Sequence, residues 1–125
     1  MLVCTALGSR RALRLAGGAA LGALAVLSLL PADQVTRTGI GGHIEHVIAY
    51  AGTAFLCTAG WRGGARPQPV ILALLAYAGA LEFLQRYSPG RVSSLGDFIF
   101  SGSGILIGVC ALMIVRAWAH PRLSS

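Results

Sequence analysis

The chain contains no lysine and only four acidic residues in 125: Asp33, Glu45, Glu82 and Asp97. Charged residues make up 11%, too few to cover a water-soluble globule. With 55% apolar residues and a mean hydropathy of +0.72, the composition fits one small membrane domain. Ten arginines carry all the basic charge, and the net charge is +6. In a soluble protein that balance would suggest nucleic acid. Here no basic face with interleaved aromatic residues exists, and the arginines fall at the ends of apolar segments, so no nucleic-acid partner is expected. The three cysteines (Cys4, Cys57, Cys110) lie far apart without metal-ligand or redox spacing, so no disulfide framework, redox centre or cofactor is indicated. Repeats, low-complexity tracts and a soluble domain are missing as well.

Four apolar runs remain, and they predict an all-α integral membrane bundle of four transmembrane helices. After a tail over 1–11, the first run covers about 12–30 and stops at Pro31. Nineteen residues reach roughly 28 Å, enough to cross a bilayer. Its basic start and the small residue Ala32 also fit a cleavable signal, and Ser9 to Arg14 resembles a twin-arginine signal. Gly18 and Gly22 form a small-xxx-small pair suited to helix packing, which favours a retained helix. A Gly-rich polar loop over 31–42 leads to a second span over 43–61. A basic turn with Arg62 and Arg66 precedes the third span, over 69–87. Ser88-Pro89-Gly90-Arg91 reads as a turn, the fourth span covers 94–118, and a tail over 119–125 follows.

Arginine counts orient the bundle. With four spans both termini share a side, which carries Arg10, Arg11, Arg14, Arg62, Arg66, Arg116 and Arg122. The other side has Arg37, Arg86 and Arg91. Seven against three in short loops predicts both termini in the cytoplasm, and Trp61 and Trp118 fall at cytoplasmic helix ends. The ionisable residues inside the spans then gather at one level, the outer one, although they come from three helices. An Asp at mid-membrane costs roughly 2.5–3.5 kcal/mol, less near an interface, so acids kept there usually serve a site or a network.

Helical spacing sharpens the constellation. His43, His46 and Tyr50 share a face at i, i+3 and i+7, and Glu82 and Gln85 share one at i, i+3. Asp97, Ser101, Gly104 and Gly108 make a polar-then-small stripe whose two glycines would let a neighbouring backbone approach for helix packing. Arg91, able to bind phosphate through its planar fork, could pair with either acid. The plain reading is a network that only fixes how helices three and four meet, with Asp97 in the first turn of its helix as a cap. The sharper reading is a site for a polar head group, with His46 bonded to Glu82 or Asp97 and exchanging protons with it. A metal held by His43 and His46 with Glu45, Glu82 or Asp97 rests on spacing that occurs often, and no metal is assigned. No serine stands out as a nucleophile. A proton path would need ionisable groups in the inner halves of the spans, which lack them.

Glu82-x-x-Gln85, then Pro89-Gly90-Arg91, then Asp97 with Gly104 and Gly108 following, resembles the VanZ-like family of small bacterial membrane proteins. His46 with Tyr50 resembles that family's earlier His and Tyr, four residues apart at the opening of a helix. The resemblance covers about residues 40–110. Two positions depart from it: Gly42-His43 stands where the family usually has Asp-Lys before the His, and Ser101 where it usually has Asn. A lost Lys contact to a ligand phosphate would fall to His43 or Arg37, and Ser101 keeps hydrogen bonding with a shorter reach. The resemblance implies a multi-pass protein of the bacterial inner membrane, with relatives linked to reduced teicoplanin susceptibility and to envelope polysaccharide genes.

The expected function is accordingly an envelope protein that binds, and would modify, an anionic or lipid-linked head group in the outer leaflet. Arg91 holds the anion, with Gln85, Tyr50, Ser101 and His43 as further ligand contacts. Glu82 and Asp97 orient Arg91 and His46, and His46, Glu82 and Asp97 are the catalytic candidates if chemistry occurs. The partner would be a membrane lipid or lipid-linked envelope precursor, alongside envelope-biosynthesis proteins. The alternative is a structural or accessory subunit whose polar layer only locks the bundle.

Overall fold

The computed structural model describes residues 10–31, 33, 39, 41–61, 66–92 and 94–119. Residues 1–9 and 120–125 of the predicted tails over 1–11 and 119–125, most of the loop over 31–42, Arg37, Arg62 and Arg122 lie outside the described residues. Among the described residues the chain is all-helical. Four helices follow in order: α1 Arg10–Leu29, α2 Gly42–Gly60, α3 Gln68–Leu84 and α4 Leu95–Ala119. A 3₁₀ turn over Gln85–Tyr87 extends α3.

Local chemistry sets the boundaries. Pro31, which cannot continue a helix, follows α1, and Pro69 opens α3 in its first turn, where a missing N–H is harmless. Gly90, at φ 73°, is the third residue of the turn Ser88-Pro89-Gly90-Arg91, and the Arg91 N–H closes it on the Ser88 carbonyl at 3.2 Å. Pro second and a left-handed Gly third define a type II turn. Ser94 starts α4, its hydroxyl accepting the Asp97 N–H at 3.1 Å.

Helices α2 and α4 run parallel at the centre, with α1 against α2 and α3 against α4. The central pair meets through glycine. A Cβ on Gly104 would come within 2.5 Å of the Val47 carbonyl oxygen, and one on Gly108 would run into the Ala51 carbonyl. On the antiparallel seam between α1 and α2, Gly17 packs against Cys57 and Gly60 against Arg14. The predicted pair Gly18 and Gly22 takes no part, since both glycines have open space around them. Gly17 is one position away, and the turn of the helix decides which small residue faces α2.

The interior joins small and polar residues to aliphatics such as Leu74, Leu81, Ile105 and Leu112, while the exterior is greasy. Buried positions include Thr53, Ala54, Thr58, Ser101, Gly104 and Gly108, while Leu15, Leu72, Ile107, Ile114 and Trp118 are exposed. That pattern suits a protein whose solvent is lipid, where small residues let backbones approach and large apolar ones face outward. Three helices, Arg10–Leu29, Gln68–Tyr87 and Leu95–Ala119, are long and apolar enough to cross a membrane, which marks a membrane protein. Of the four predicted spans, α2 is not among these. His43, Glu45 and His46 in its opening turns lower its apolar character, and its inner face holds Thr53 and Thr58 rather than large aliphatics.

Candidate functional site

Antiparallel neighbours bring alternate helix ends together, so the C-termini of α1 and α3 meet the N-termini of α2 and α4. The sequence-selected polar residues among the described ones collect at that end. A cavity of about 180 Å³ opens there, lined by Gly42, His43, His46, Gln85, Arg91 and Asp97 among others.

The pairings within the cluster differ from those the sequence suggested. Asp97 Oδ1 bonds His43 Nδ1 at 3.1 Å, the one acid–base pair among the described residues; it involves neither Arg91 nor His46. His43 also stacks on Phe100, with ring centroids 4.5 Å apart. His46 faces Ser101 rather than a carboxylate, with 3.3 Å between Nδ1 and the hydroxyl, and the imidazole tautomer decides which of them donates. Ser101 is 2% exposed, while the His46 and Tyr50 rings lie nearly parallel, 6.3 Å apart. Glu82 Oε1 accepts the Ser94 backbone N–H at 3.0 Å and so ties the end of α3 to the start of α4.

Arg91 does something composition did not suggest. Its Nη2 donates to the Leu27 carbonyl at 2.7 Å and its Nε to the Leu30 carbonyl at 3.2 Å, while the Ser88 hydroxyl donates to the Leu29 carbonyl at 2.9 Å. The last carbonyls of a helix have no partners within it, and an unsatisfied one in hydrocarbon costs several kcal/mol. The turn between α3 and α4 therefore caps α1 from outside. The opposite end repeats the device: Arg14 Nε bonds the Gly60 carbonyl at 3.0 Å and Arg116 Nη2 the Thr58 carbonyl at 3.4 Å. Three arginines thus sit at helix C-termini, where the dipole favours a cation. Ser88, read in the sequence as part of a turn, is a structural donor, and Ser94, at the start of the fourth span, a structural acceptor; the Ser94-x-x-Asp97 spacing was the available signal for the second.

Two groups at the cavity wall are left open. Gln85 is 4% exposed, and its side-chain amide bonds no other described residue. Gly41, the residue before α2, offers no side chain to cap the helix, and Gly42 faces the cavity, so the N–H end of α2 borders it. Such an end, with its partial positive charge, suits an anion. Among the described residues no group of three or more His, Cys, Asp or Glu side chains converges as a metal site would need, because His43 and His46 turn to separate partners. Comparison with protein-family models, with curated proteins and with solved structures gives no match for this chain.

Proposed function

We propose that the protein is a four-span, VanZ-like protein of the bacterial inner membrane, with both termini cytoplasmic and the polar cavity opening at the outer face. In this reading α2 crosses the membrane as the enclosed central helix, its polar opening turns at head-group depth. Arg10, Arg11, Arg14, Arg66 and Arg116 gather at one end of the bundle against Arg86 and Arg91 at the other, in line with cytoplasmic termini. The cavity binds the head group of an anionic or lipid-linked envelope component. The observation that carries this is the pairing of the α2 N-terminus, whose Gly41 brings no capping side chain, with the buried Gln85 amide, which bonds no other described residue, beside Arg91. His46, hydrogen-bonded to Ser101, is the group placed to move a proton if the head group is modified.

Native mass spectrometry of the detergent-purified protein tests it, with wild type beside Gln85→Ala and His46→Ala. A phosphate-bearing lipid retained by wild type and lost from folded variants is the expected result. A second reading has its own support: Arg91, Glu82, Asp97 and Ser88 each make an internal bond that locks helices together. A wild type with no specific lipid, and variants that lose stability alone, would favour that accessory or structural role.

A further inference from the structure

The charges around the cavity narrow the head group, on the reading that the cavity holds one. With histidines counted neutral, the described residues of the lining carry one fixed cation, Arg91, and one fixed anion, Asp97. The open end of α2 adds about half a positive charge. A pyrophosphate would set several negative charges against a single guanidinium that two backbone carbonyls already occupy, and would bring them close to a carboxylate. Like charges brought together discriminate against a partner as strongly as contacts favour another. A ligand matched to this wall is negative at one end and positive at the other.

Asp97 can serve the positive end. His43 bonds Oδ1, and a carboxylate has about four acceptor positions, so among the described residues Asp97 keeps acceptor capacity for an N–H donor. The type of cation follows from what the wall lacks. A quaternary ammonium is recognised by aromatic faces, and among the described residues no Phe, Tyr or Trp lines the cavity. A primary ammonium instead donates hydrogen bonds, which Asp97 accepts. The phosphate falls to the α2 N-terminus at Gly42, to the Gln85 amide and to the part of the Arg91 guanidinium that does not cap α1. Size agrees: the cavity of about 180 Å³ leaves room for a phosphate and a short aminoethyl arm.

We infer that the cavity takes a phosphate diester joined to a primary ammonium, the phosphoethanolamine type of head group, with phosphate at Gly42, Gln85 and Arg91 and ammonium at Asp97. The full chain in detergent is titrated with phosphatidylethanolamine, phosphatidylcholine, phosphatidylglycerol and a polyprenyl phosphate, and retention is read by native mass spectrometry. Phosphatidylethanolamine should exceed the choline and glycerol lipids by about tenfold, the worth of one charge-assisted hydrogen bond. Asp97→Asn should erase that preference, whereas Gln85→Ala should weaken all the phospholipids alike. If Asp97→Asn does not fold, the ranking of the lipids by wild type decides alone. Equal or better retention of phosphatidylglycerol or polyprenyl phosphate overturns the ammonium assignment and leaves the head-group site standing. Retention of none overturns both. Glycerophosphoethanolamine added as a competitor separates the sources: displacement marks recognition of the head group by itself, and failure to displace marks a lipid held also by its chains.

Discussion

Adding one methyl group at Gly108 should separate the two central helices. The Cβ of an alanine there would collide with the Ala51 carbonyl, and at Gly104 it would stand 2.5 Å from the Val47 carbonyl oxygen. A relaxed C···O contact is about 3.3–3.6 Å, so α2 and α4 would have to part by about 1 Å or more. No side chain can swing aside, because the obstructing atoms are backbone. A gap of that size forfeits between a quarter and half of the dispersion energy along the seam, where Ala54, Ile105 and Leu112 are fully buried. Overpacking of this kind typically costs about 1–3 kcal/mol, and a rigid obstacle belongs at the upper end. Gly18→Ala and Gly22→Ala are the controls, since nothing lies near either glycine and alanine is the better helix former by about 0.5–1 kcal/mol. Thermal unfolding in detergent, followed by the helical circular dichroism signal, should rank Gly108→Ala and Gly104→Ala below wild type and the two controls at or above it. A Gly108→Ala protein as stable as wild type would refute the close crossing of α2 and α4.

Arg91→Ala should lose about 1.5–3 kcal/mol of stability, because two carbonyls at the end of α1 lose a charged donor. Arg91→Lys should recover only part of it, since an ammonium cannot reproduce the fork that spans both carbonyls; unfolding midpoints of the three proteins check this. Ser94→Ala should lower stability by about 1 kcal/mol through loss of the α4 cap, with Ser103→Ala, whose hydroxyl bonds its own helix at Ile99, near neutral in the same assay. For the proposed topology, Val92→Cys is made in a chain whose Cys4, Cys57 and Cys110 are replaced by alanine. It should react with a membrane-impermeant maleimide on intact spheroplasts, because Val92 is 85% exposed at the cavity end; labelling only after lysis would reverse the orientation.

Residue order alone carries the helices and their ends. Long apolar runs divided by Pro31, Pro69 and Ser88-Pro89-Gly90 can form little but helices, since hydrocarbon demands that backbone bonds close within the segment. The level of the polar residues follows from the same order, because consecutive antiparallel helices must return alternate ends to one side. The stripe Asp97, Ser101, Gly104, Gly108 is legible too, as helical periodicity puts those residues on one face.

Partners are another matter, because periodicity names a face and not what it meets. Gly17 rather than Gly18 and Gly22 packs α1 on α2, a difference of one residue in rotation that composition cannot resolve. Arg91 lies close in sequence to two acids and bonds neither. The atoms it serves are carbonyls of Leu27 and Leu30, more than sixty positions earlier. A helix terminus shows no special residue in the sequence, since its unpaired groups belong to the backbone. Asp97 turns to His43 and His46 to Ser101 because parallel packing of α2 on α4 sets those residues opposite each other. The sequence by itself determined the helices, their lengths and the end at which the polar residues gather. Only the tertiary structure decided which backbone groups needed capping, which side chains were used for it, and which polar groups were left free at the cavity.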